Sequence, residues 1–265
     1  MNWFLKLFTK RSSWSIPYFI FLLLMVVLPL ILIFFYAFQD EQTGEFTLKY
    51  FDKFISNPEA ANTFVYSIGI AIITTIACIV LGYPAAYILS NPSLCRSKVM
   101  VILFILPMWI NILVRTLATV ALFDFMKFPL GETALIFGMV YFLPFMIYPI
   151  YNTMQKMDHS YIEAAQDLGA SPIKVFTKVV FPLSMPGVMS GIMMVFMPTI
   201  STFAIAELLT MNNIKLFGTT IQENINNGMW NYGAALSLIM LVIIFATELF
   251  SEGDEDNAAN EGGII

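Results

Sequence analysis

The most informative spacing of polar residues in this chain lies in residues 163–182, EAAQDLGASPIKVFTKVVFP, between two long apolar segments. Ser160 precedes Glu163 by three residues, which is the form of a capping box, where a hydroxyl and a carboxylate each accept a backbone N–H at a helix start. Gly169 suits the left-handed position that ends such a helix. The spacing predicts a short helix that begins near Ser160 and ends at Gly169.

A second helix is predicted directly after the first. Ser171 and Pro172 fit the N-cap and the first helical position, and Pro182 with Pro186 is expected to end this helix before the next apolar segment. The two helices predict a helix-turn-helix outside the bilayer at residues 158–182. Four apolar side chains recur at helical spacing and need a surface to pack on, either the ends of the spans or a partner: Val175, Phe176, Val179 and Val180.

Residues suited to catalysis or metal binding are sparse. The sequence has no G-x-x-x-x-G-K-[ST] loop and not one Gly-Lys pair, so nothing in it predicts ATP hydrolysis. His159 is the single histidine and has no metal-ligating partners at a suitable spacing. Cys78 and Cys95 have neither metal-site nor disulfide spacing, and we interpret both as structural. We therefore assign no catalytic residue, metal or cofactor to this chain.

Charged side chains within apolar segments are candidates for function, because an ionised group is costly in a bilayer. Arg115 is placed near one end of its segment, where its long side chain reaches the interface, and we expect it to pair with Glu207 or Asp124 as a structural charge. Glu207 has a second interpretation, as a carboxylate that faces a solute pathway and binds an ammonium group.

Aromatic side chains offer another kind of cation site. The ring faces of Tyr83, Tyr87, Trp109 and Phe203 are suited to ammonium groups, at about 0.5 to 2 kcal/mol each. Aromatic residues also serve ordinary helix packing and the membrane interface, which is the plainer interpretation for most of them. Trp109 is the foremost pathway candidate because Asn111 is a polar residue in the same segment.

The composition indicates which elements position these residues. Hydrophobic residues make up 58% of the 265 residues and charged residues 12%, which is typical of a membrane protein and not of a soluble domain. The net charge of -5, without a clustered basic face, argues against a nucleic-acid partner. We predict an all-α fold with six transmembrane helices of about 20 residues or more, near residues 16–38, 63–89, 99–123, 133–151, 187–210 and 232–250.

The distribution of Lys and Arg predicts the orientation. With the N-terminus in the cytosol, eight basic residues lie inside and four outside, in agreement with the positive-inside rule. The eight are Lys6, Lys10, Arg11, Arg96, Lys98, Lys156, Lys174 and Lys178, and the four are Lys49, Lys53, Lys127 and Lys215. Both termini are then cytosolic, and the helix-turn-helix faces the cytosol. We predict one transmembrane domain, 1–250, and an acidic, disordered cytosolic tail, 251–265.

The spacing in residues 163–182 resembles the cytosolic loop of membrane subunits in binding-protein-dependent ATP-binding cassette importers, whose pattern is E-A-A, three residues, G, nine residues, I-x-L-P. The matching residues are Glu163, Ala164, Ala165, Gly169 and Pro182. The resemblance to this EAA motif implies the type I importer permease fold. It also implies that the loop contains a coupling helix, which sits in a cleft of an ATPase subunit and transmits its closure to the spans. Glu163 then has two compatible roles, docking and helix capping.

The same resemblance implies the partners of this chain. ATP and Mg²⁺ are bound by two separate ATPase subunits, a second and similar permease chain completes the pathway, and an extracytoplasmic substrate-binding protein delivers the solute. The chain is placed in the bacterial cytoplasmic membrane as a multi-pass protein in contact with lipid.

Residues 106–120, LPMWINILVRTLATV, resemble the P-x-W-x-x-x-L-V-R-T-x-A-W block of the spermidine/putrescine permeases, which implies a polyamine as solute. Under the predicted orientation the outer loops hold eight acidic residues against four basic ones, which favours a cation, although positive-inside bias alone leaves outer loops acidic. Permeases of the same fold carry sulfate, molybdate, iron or sugars, and these are alternatives. An ion-gradient transporter is the alternative from another class, and it requires charged relays in mid-membrane.

Overall fold

The structure is a computed structural model that describes residues 16–91, 94, 95 and 97–261. Several basic residues used to predict the orientation, and the last four residues of the predicted tail, lie outside this part of the chain. The described residues form helices joined by turns and loops, with one antiparallel bridge between Gln39 and Phe46. The predicted all-α fold is confirmed.

The helices are numbered here in chain order, and some contain a π-helical or 3₁₀ segment. They are α1 (Ile16–Leu22, π-helical Leu23–Val27, Leu28–Phe38), α2 (Lys49–Ser56), α3 (Pro58–Ser90), α4 (Lys98–Ile105, followed by the 3₁₀ turn Leu106–Trp109), α5 (Ile112–Phe125), α6 (Glu132–Met139, 3₁₀ Val140–Phe142, Leu143–Lys156), α7 (Ser160–Asp167), α8 (Pro172–Val175, π-helical Phe176–Val180, Phe181–Ser201), α9 (Ala204–Thr210), α10 (Phe217–Asn226) and α11 (Trp230–Glu261).

Contacts within the chain divide it into two units, Met1–Pro58 with Ile221–Val242, and Glu59–Thr220 with Ile243–Ile265. In the described part of the first unit, the side-chain amide of Asn231 donates to the backbone carbonyls of Tyr36 and Gln39, at 3.2 and 2.6 Å. These carbonyls lie at the end of α1, where helical bonds run out. Asn231 therefore caps the first span from the start of α11.

Five helical segments of the described chain are long and apolar enough to cross a membrane: Pro17–Phe38, Pro58–Ser90, Glu132–Lys156, Pro172–Ser201 and Trp230–Leu249. They correspond to the first, second, fourth, fifth and sixth predicted spans. The third predicted span is a pair of helices, Val99–Trp109 and Ile112–Phe125, that meet at 101°. The number of spans is therefore five, or six if the bent pair crosses as one.

The bend in the third segment has a local cause. Pro107 lies in the 3₁₀ turn that ends α4, and the backbone becomes extended at Ile110. The side-chain oxygen of Asn111 then accepts the backbone N–H of Leu113 at 2.9 Å, which makes Asn111 the N-cap of α5. A new helix therefore starts where the sequence predicts the middle of one span.

α8 begins earlier than the sequence predicts. The helix end expected at Pro182 and Pro186 is wrong, because α8 continues through both residues. The π-helical segment Phe176–Val180 directly precedes them, and the N–H of Phe181 bonds to the carbonyl of Phe176, five residues back. In a regular α-helix a proline such as Pro182 cannot donate an N–H and its ring crowds the carbonyl four residues earlier. The wider turn of the π-helical segment accommodates Pro182 at this point.

The described part of the second unit is built around the contact between α6 and α8. A Cβ atom added to Gly187 would lie 2.6 Å from Oγ1 of Thr153 and 2.9 Å from the carbonyl oxygen of Pro149. A Cβ atom at Gly191 would lie 2.7 Å from the sulfur of Met146. These two glycines, spaced as Gly-x-x-x-Gly, let the backbones of two spans approach closely.

The last two predicted spans also differ in their ends. α8 ends at Ser201 and the backbone is extended at Thr202, so the predicted span 187–210 is interrupted before α9. α11 continues to Glu261, and its backbone is helical through most of the tail that the sequence predicts as disordered.

Candidate functional site

The helix-turn-helix at residues 158–182 forms, but its first helix is not capped as predicted. Ser160 is the first residue of α7, and His159 takes the N-cap position without a side-chain bond. The carboxylate of Asp158 accepts the backbone N–H of Ser160 at 2.9 Å, and this bond lowers the pKa of the Asp158 carboxyl. Glu163 is exposed. The capping box between Ser160 and Glu163 is therefore wrong, while docking through Glu163 stays a prediction.

The turn between the two helices forms at Gly169. Its φ is +79°, its N–H donates to the carbonyl of Gln166 at 2.8 Å, and the N–H of Ala170 donates to the carbonyl of Ala165 at 3.0 Å. This pair of bonds is the Schellman arrangement. No atom lies within 4 Å of the place a Cβ would occupy, so the backbone conformation, and not space, is what requires glycine.

The second helix of this segment is held to the membrane part of the unit by its apolar face. Ser171 occupies the N-cap position with extended backbone, although without a side-chain bond, and Pro172 is the first helical residue. Val175 and Val180 are buried in the core. α8 thus starts outside the predicted span and continues into it.

An aromatic cluster joins the start of α8 to the end of α3. The ring of Phe176 meets the rings of Tyr83 and Tyr87 edge to face, with centroids 5.9 and 5.5 Å apart. Tyr83 is buried, and its hydroxyl is 2.8 Å from the hydroxyl of Ser184 in α8. The structure therefore places Tyr83 and Tyr87, which the sequence offered as pathway residues, in the packing between α3 and α8.

An open cavity of about 540 Å³ lies between the helix-turn-helix and the ends of α3 and α6. Tyr87 in α3 and Asn91 just after it line the cavity on one side, and Glu163, Gln166 and Phe176 line it from the helix-turn-helix. This space lies between α7 and the neighbouring spans on that side, and α7 also contacts the start of α8.

The helix-turn-helix exposes large apolar side chains that were not predicted from the sequence. Tyr161 is 58% exposed, Leu168 88% and Ile173 76%. Ala164 is exposed beside them, whereas Ala165 is half-buried against the core. Large apolar side chains that are exposed in a polar segment indicate an interaction surface. No single helical period predicts the whole set, because Tyr161 and Leu168, seven residues apart, share a face of α7, whereas Ile173 lies in α8.

Arg115 is the clearest correction to the predicted charge pairs. Among the described residues, the expected ion pair with Glu207 or Asp124 is absent. The guanidinium donates instead to the carbonyl oxygens of Pro107 at 3.1 Å and Tyr141 at 2.8 Å, and it lies 3.7 Å from the centroid of the Tyr141 ring. Both carbonyls belong to 3₁₀ turns, where the regular helical bonds are interrupted. The Tyr141 carbonyl and the Pro107 carbonyl, which also accepts the N–H of Ile110 at 3.4 Å, satisfy the charge without a carboxylate.

The other pathway candidates lie at the two interrupted spans. Trp109 is 85% exposed beside Asn111, whose side chain is engaged as the cap of α5. Phe203 is 41% exposed after the end of α8, and its carbonyl accepts the N–H of Glu207 at 3.0 Å. Glu207 is half-buried in α9, and α9 packs against α5 and α6. The helices that follow the two breaks are therefore in contact with each other.

In the part of the chain that the structure describes, no three His, Cys, Asp or Glu side chains form a group that could hold a metal ion. Cys78 is buried and Cys95 is half-buried, and both are free thiols.

Comparison with known proteins identifies a family and several relatives that align with most of this chain. Residues 78–252 match the family described as binding-protein-dependent transport system inner membrane component. The spermidine/putrescine transport system permease protein PotB of Escherichia coli (strain K12) is 32% identical over 218 residues, which cover 75% of this chain and 79% of that protein. The spermidine/putrescine transport system permease protein PotC of Haemophilus influenzae is 26% identical over 231 residues, which cover 85% of this chain and 90% of that protein.

A chain of the MetNI methionine ABC transporter, solved in an inward-facing conformation, has 13% identity and a TM-score of 0.59, and the match covers 75% of this chain and 95% of that one. At this identity the likeness supports the fold alone. The family match and the relative at 32% identity extend over most of the sequence. This chain therefore belongs to the binding-protein-dependent transport system inner membrane components, the permease subunits of ATP-binding cassette importers, which are not themselves enzymes.

Proposed function

We propose that this chain forms half of the translocation pathway for a small cationic solute, a polyamine such as spermidine or putrescine, in an ATP-driven importer. The names of PotB and PotC, two relatives that align with most of the chain, support a polyamine. The acidic balance of the predicted outer loops supports a cation independently, because it raises the local concentration of positive solutes.

The proposed partners are a second, similar permease, two ATPase subunits that bind ATP and Mg²⁺, and an extracytoplasmic substrate-binding protein. The surface formed by Tyr161, Leu168 and Ile173 supports an ATPase partner, since these apolar side chains are exposed in the part of the chain that resembles a coupling helix. Glu163 and Ala164 are exposed on the same helix, as docking requires.

The observation that carries the mechanism is the continuity of α8. A single helical segment runs from Pro172, in the helix-turn-helix, to Ser201, at the far end of a span. When the ATPases close on ATP, movement of α7 passes through the turn at Gly169 to the start of α8, and the same helix carries it across the membrane. Alternating access follows: the pathway opens outward to receive solute and returns after hydrolysis.

The proposed pathway residues are those at the two interrupted spans. Trp109 and Phe203 present exposed rings, and Glu207 presents a half-buried carboxylate that pairs with an ammonium group. Broken helices are typical of solute sites in membrane transporters, because their ends supply backbone groups within the membrane. Asn111, by contrast, acts through the shape of the bend, because its side-chain oxygen caps α5.

The proposed location is the bacterial cytoplasmic membrane, with both termini and the helix-turn-helix in the cytosol. This orientation requires the bent pair α4–α5 to cross the membrane as one span. We test it with cysteines at Ser97 and Met126, which are exposed before α4 and after α5, in a Cys95→Ser background that keeps the buried Cys78. A membrane-impermeant thiol reagent added outside intact cells should label Met126→Cys and not Ser97→Cys. Equal labelling of both would show that the pair returns to the side it started from.

The solute is tested with the assembled complex in vesicles, by measuring uptake of labelled spermidine, putrescine and sulfate with ATP supplied on the ATPase side. We expect saturable, ATP-dependent uptake of a polyamine and none of sulfate. Uptake that persists without ATP but stops when ionophores remove the ion gradients would support the ion-gradient alternative. ATP-dependent uptake of sulfate, molybdate, iron or a sugar, without a polyamine, would refute the proposed solute while leaving the importer intact.

A further inference from the structure

Arg115 connects two interruptions in neighbouring spans, and this connection has a consequence for the pathway. We propose that Arg115 is a positioning residue: it holds the bend between α4 and α5 against α6, and so fixes the place of the Trp109 side chain. The proposal deepens the proposed function, because it rests on Trp109 lying in the solute pathway.

The contacts of Arg115 require the geometry of a guanidinium. Its two terminal nitrogens reach carbonyls on different helical segments, Pro107 at 3.1 Å and Tyr141 at 2.8 Å. The group also lies 3.7 Å from the centroid of the Tyr141 ring. A planar fork with five N–H donors can make both bonds and still stack on a ring, whereas a lysine ammonium is a compact charge that cannot stack flat.

The first of these carbonyls ties Arg115 to Trp109. Pro107 and Trp109 belong to the same four-residue 3₁₀ turn, Leu106–Trp109, so a displacement of the Pro107 carbonyl displaces the indole two residues later. Arg115 is on the other side of the bend, in the first turn and a half of α5. The bond from Arg115 to Pro107 therefore spans the 101° bend directly.

The second carbonyl fixes the bend against a third helix. Tyr141 lies in the 3₁₀ turn within α6, and Arg115 satisfies an acceptor there that the regular helix would have bonded. The charge of Arg115 is thereby engaged by backbone dipoles and by a ring face. This arrangement explains how a permease for cations tolerates a positive side chain beside its pathway, because the charge is directed at the protein and not at the solute.

The test compares the uptake kinetics of assembled complexes carrying Arg115→Gln, Arg115→Lys, Tyr141→Leu and Tyr141→Phe. Arg115→Gln should raise the apparent KM for polyamine by about tenfold, the effect of losing one charge-assisted hydrogen bond, and Arg115→Lys should rescue part of it. Tyr141→Leu keeps the carbonyl but loses the ring face, and should raise KM as well. Tyr141→Phe keeps the carbonyl and the ring face but loses the phenol hydroxyl, which also bonds to Arg115, so it should raise KM less than Tyr141→Leu does.

A double-mutant cycle with Trp109→Ala separates positioning from general stability. If Arg115 acts through Trp109, the KM of the double variant with Arg115→Gln should not exceed that of Trp109→Ala. If the increases in KM caused by Arg115→Gln and Trp109→Ala multiplied in the double variant, the proposal would be overturned. It would also be overturned if Arg115→Gln lowered only the amount of assembled complex and left KM unchanged, because that is the result of a purely structural role.

A distance measurement tests the bend without any solute. Spin labels at Met100→Cys and Leu122→Cys, two exposed positions on either side of the bend, report its angle in a Cys95→Ser background. Arg115→Gln should shift or broaden the distance distribution, and Tyr141→Phe should do so less, because it keeps the carbonyl and the ring face that Arg115 contacts. An unchanged distance distribution in Arg115→Gln would refute the proposal that Arg115 holds the bend. The measurement needs no solute, so the result is valid even if the complex carries a solute other than a polyamine.

Discussion

The turn at Gly169 offers the sharpest test of the coupling mechanism. Gly169 has a φ of +79°, and its N–H bonds to the carbonyl of Gln166 at 2.8 Å. Proline has a φ fixed near −65° and has no N–H, so Gly169→Pro removes the conformation and the bond together. We expect the substitution to leave the membrane part of the chain unchanged, because Gly169 is exposed and no atom lies within 4 Å of the place a Cβ would occupy.

The size of the effect follows from these two losses. The backbone bond contributes about 1 kcal/mol, and the left-handed conformation costs a non-glycine residue about 1 to 2 kcal/mol and is closed to proline. In Gly169→Pro the native turn conformation is therefore less favourable than in the wild type by more than about 2 kcal/mol. This lowers the ratio of native to non-native turn by about thirtyfold or more. α7 then takes another direction relative to the start of α8.

The assay compares Gly169→Pro with Gly169→Asn in the reconstituted complex. Asparagine adopts the left-handed conformation at modest cost and keeps the N–H, so it is the matched control. We expect both complexes to assemble, Gly169→Asn to retain coupled transport, and Gly169→Pro to lose solute-stimulated ATP hydrolysis together with uptake. Normal uptake by Gly169→Pro would refute the idea that force passes through this turn.

Three further predictions concern packing, a buried bond and a helix cap. Gly187→Ala should lower the Tm of the complex because the added Cβ would meet a hydroxyl oxygen at 2.6 Å, while Gly69→Ala, with no atom within 4 Å, should not. Tyr83→Phe should cost about 1 kcal/mol in denaturant unfolding, since it removes a 2.8 Å bond to α8. The hydrogen bond from Ser160 lowers the pKa of the Asp158 carboxyl in the folded state, so the stabilisation that this bond provides is present above the unfolded-state pKa and is lost as pH falls through the folded-state pKa. Protection of the Ser160 amide from hydrogen exchange should therefore drop in acid. In Asp158→Asn, which has no titratable group at this position, it should not change with pH.

Features that depend on short-range chemistry were predictable from the sequence. Apolar runs of sufficient length located the spans, because a membrane requires about 20 apolar residues whatever the helix contacts. The turn at Gly169 was predictable because a left-handed residue at a helix end is a property of a few neighbouring residues. The close approach of α8 to α6 at Gly187 and Gly191 was not predicted, because α6 carries no signature that sequence alone can match to this glycine pair.

Features that depend on the backbone were not predictable. The bend at Asn111 has the same apolar composition as a straight span, and a cap by one asparagine is a weak signal inside it. The partners of Arg115 are backbone carbonyls, which every residue has, so a search among carboxylates led to the wrong pair. Proline at position 182 suggested a helix end, whereas a π-helical segment before it allows the helix to continue.

A continuous series of contacts leads from the exposed helix-turn-helix to the bend at Trp109. α7 is joined to α8, α8 is packed at backbone distance on α6 through Gly187, and α6 holds the bend through the bonds and ring that Arg115 uses. Spatial continuity becomes coupling only if a change at one end biases the other. Disruption at Gly169 should therefore change uptake and ATP hydrolysis together, whereas disruption at Arg115 should change the affinity for solute. If both substitutions gave the same phenotype, the series would be one rigid body and not a route between two sites.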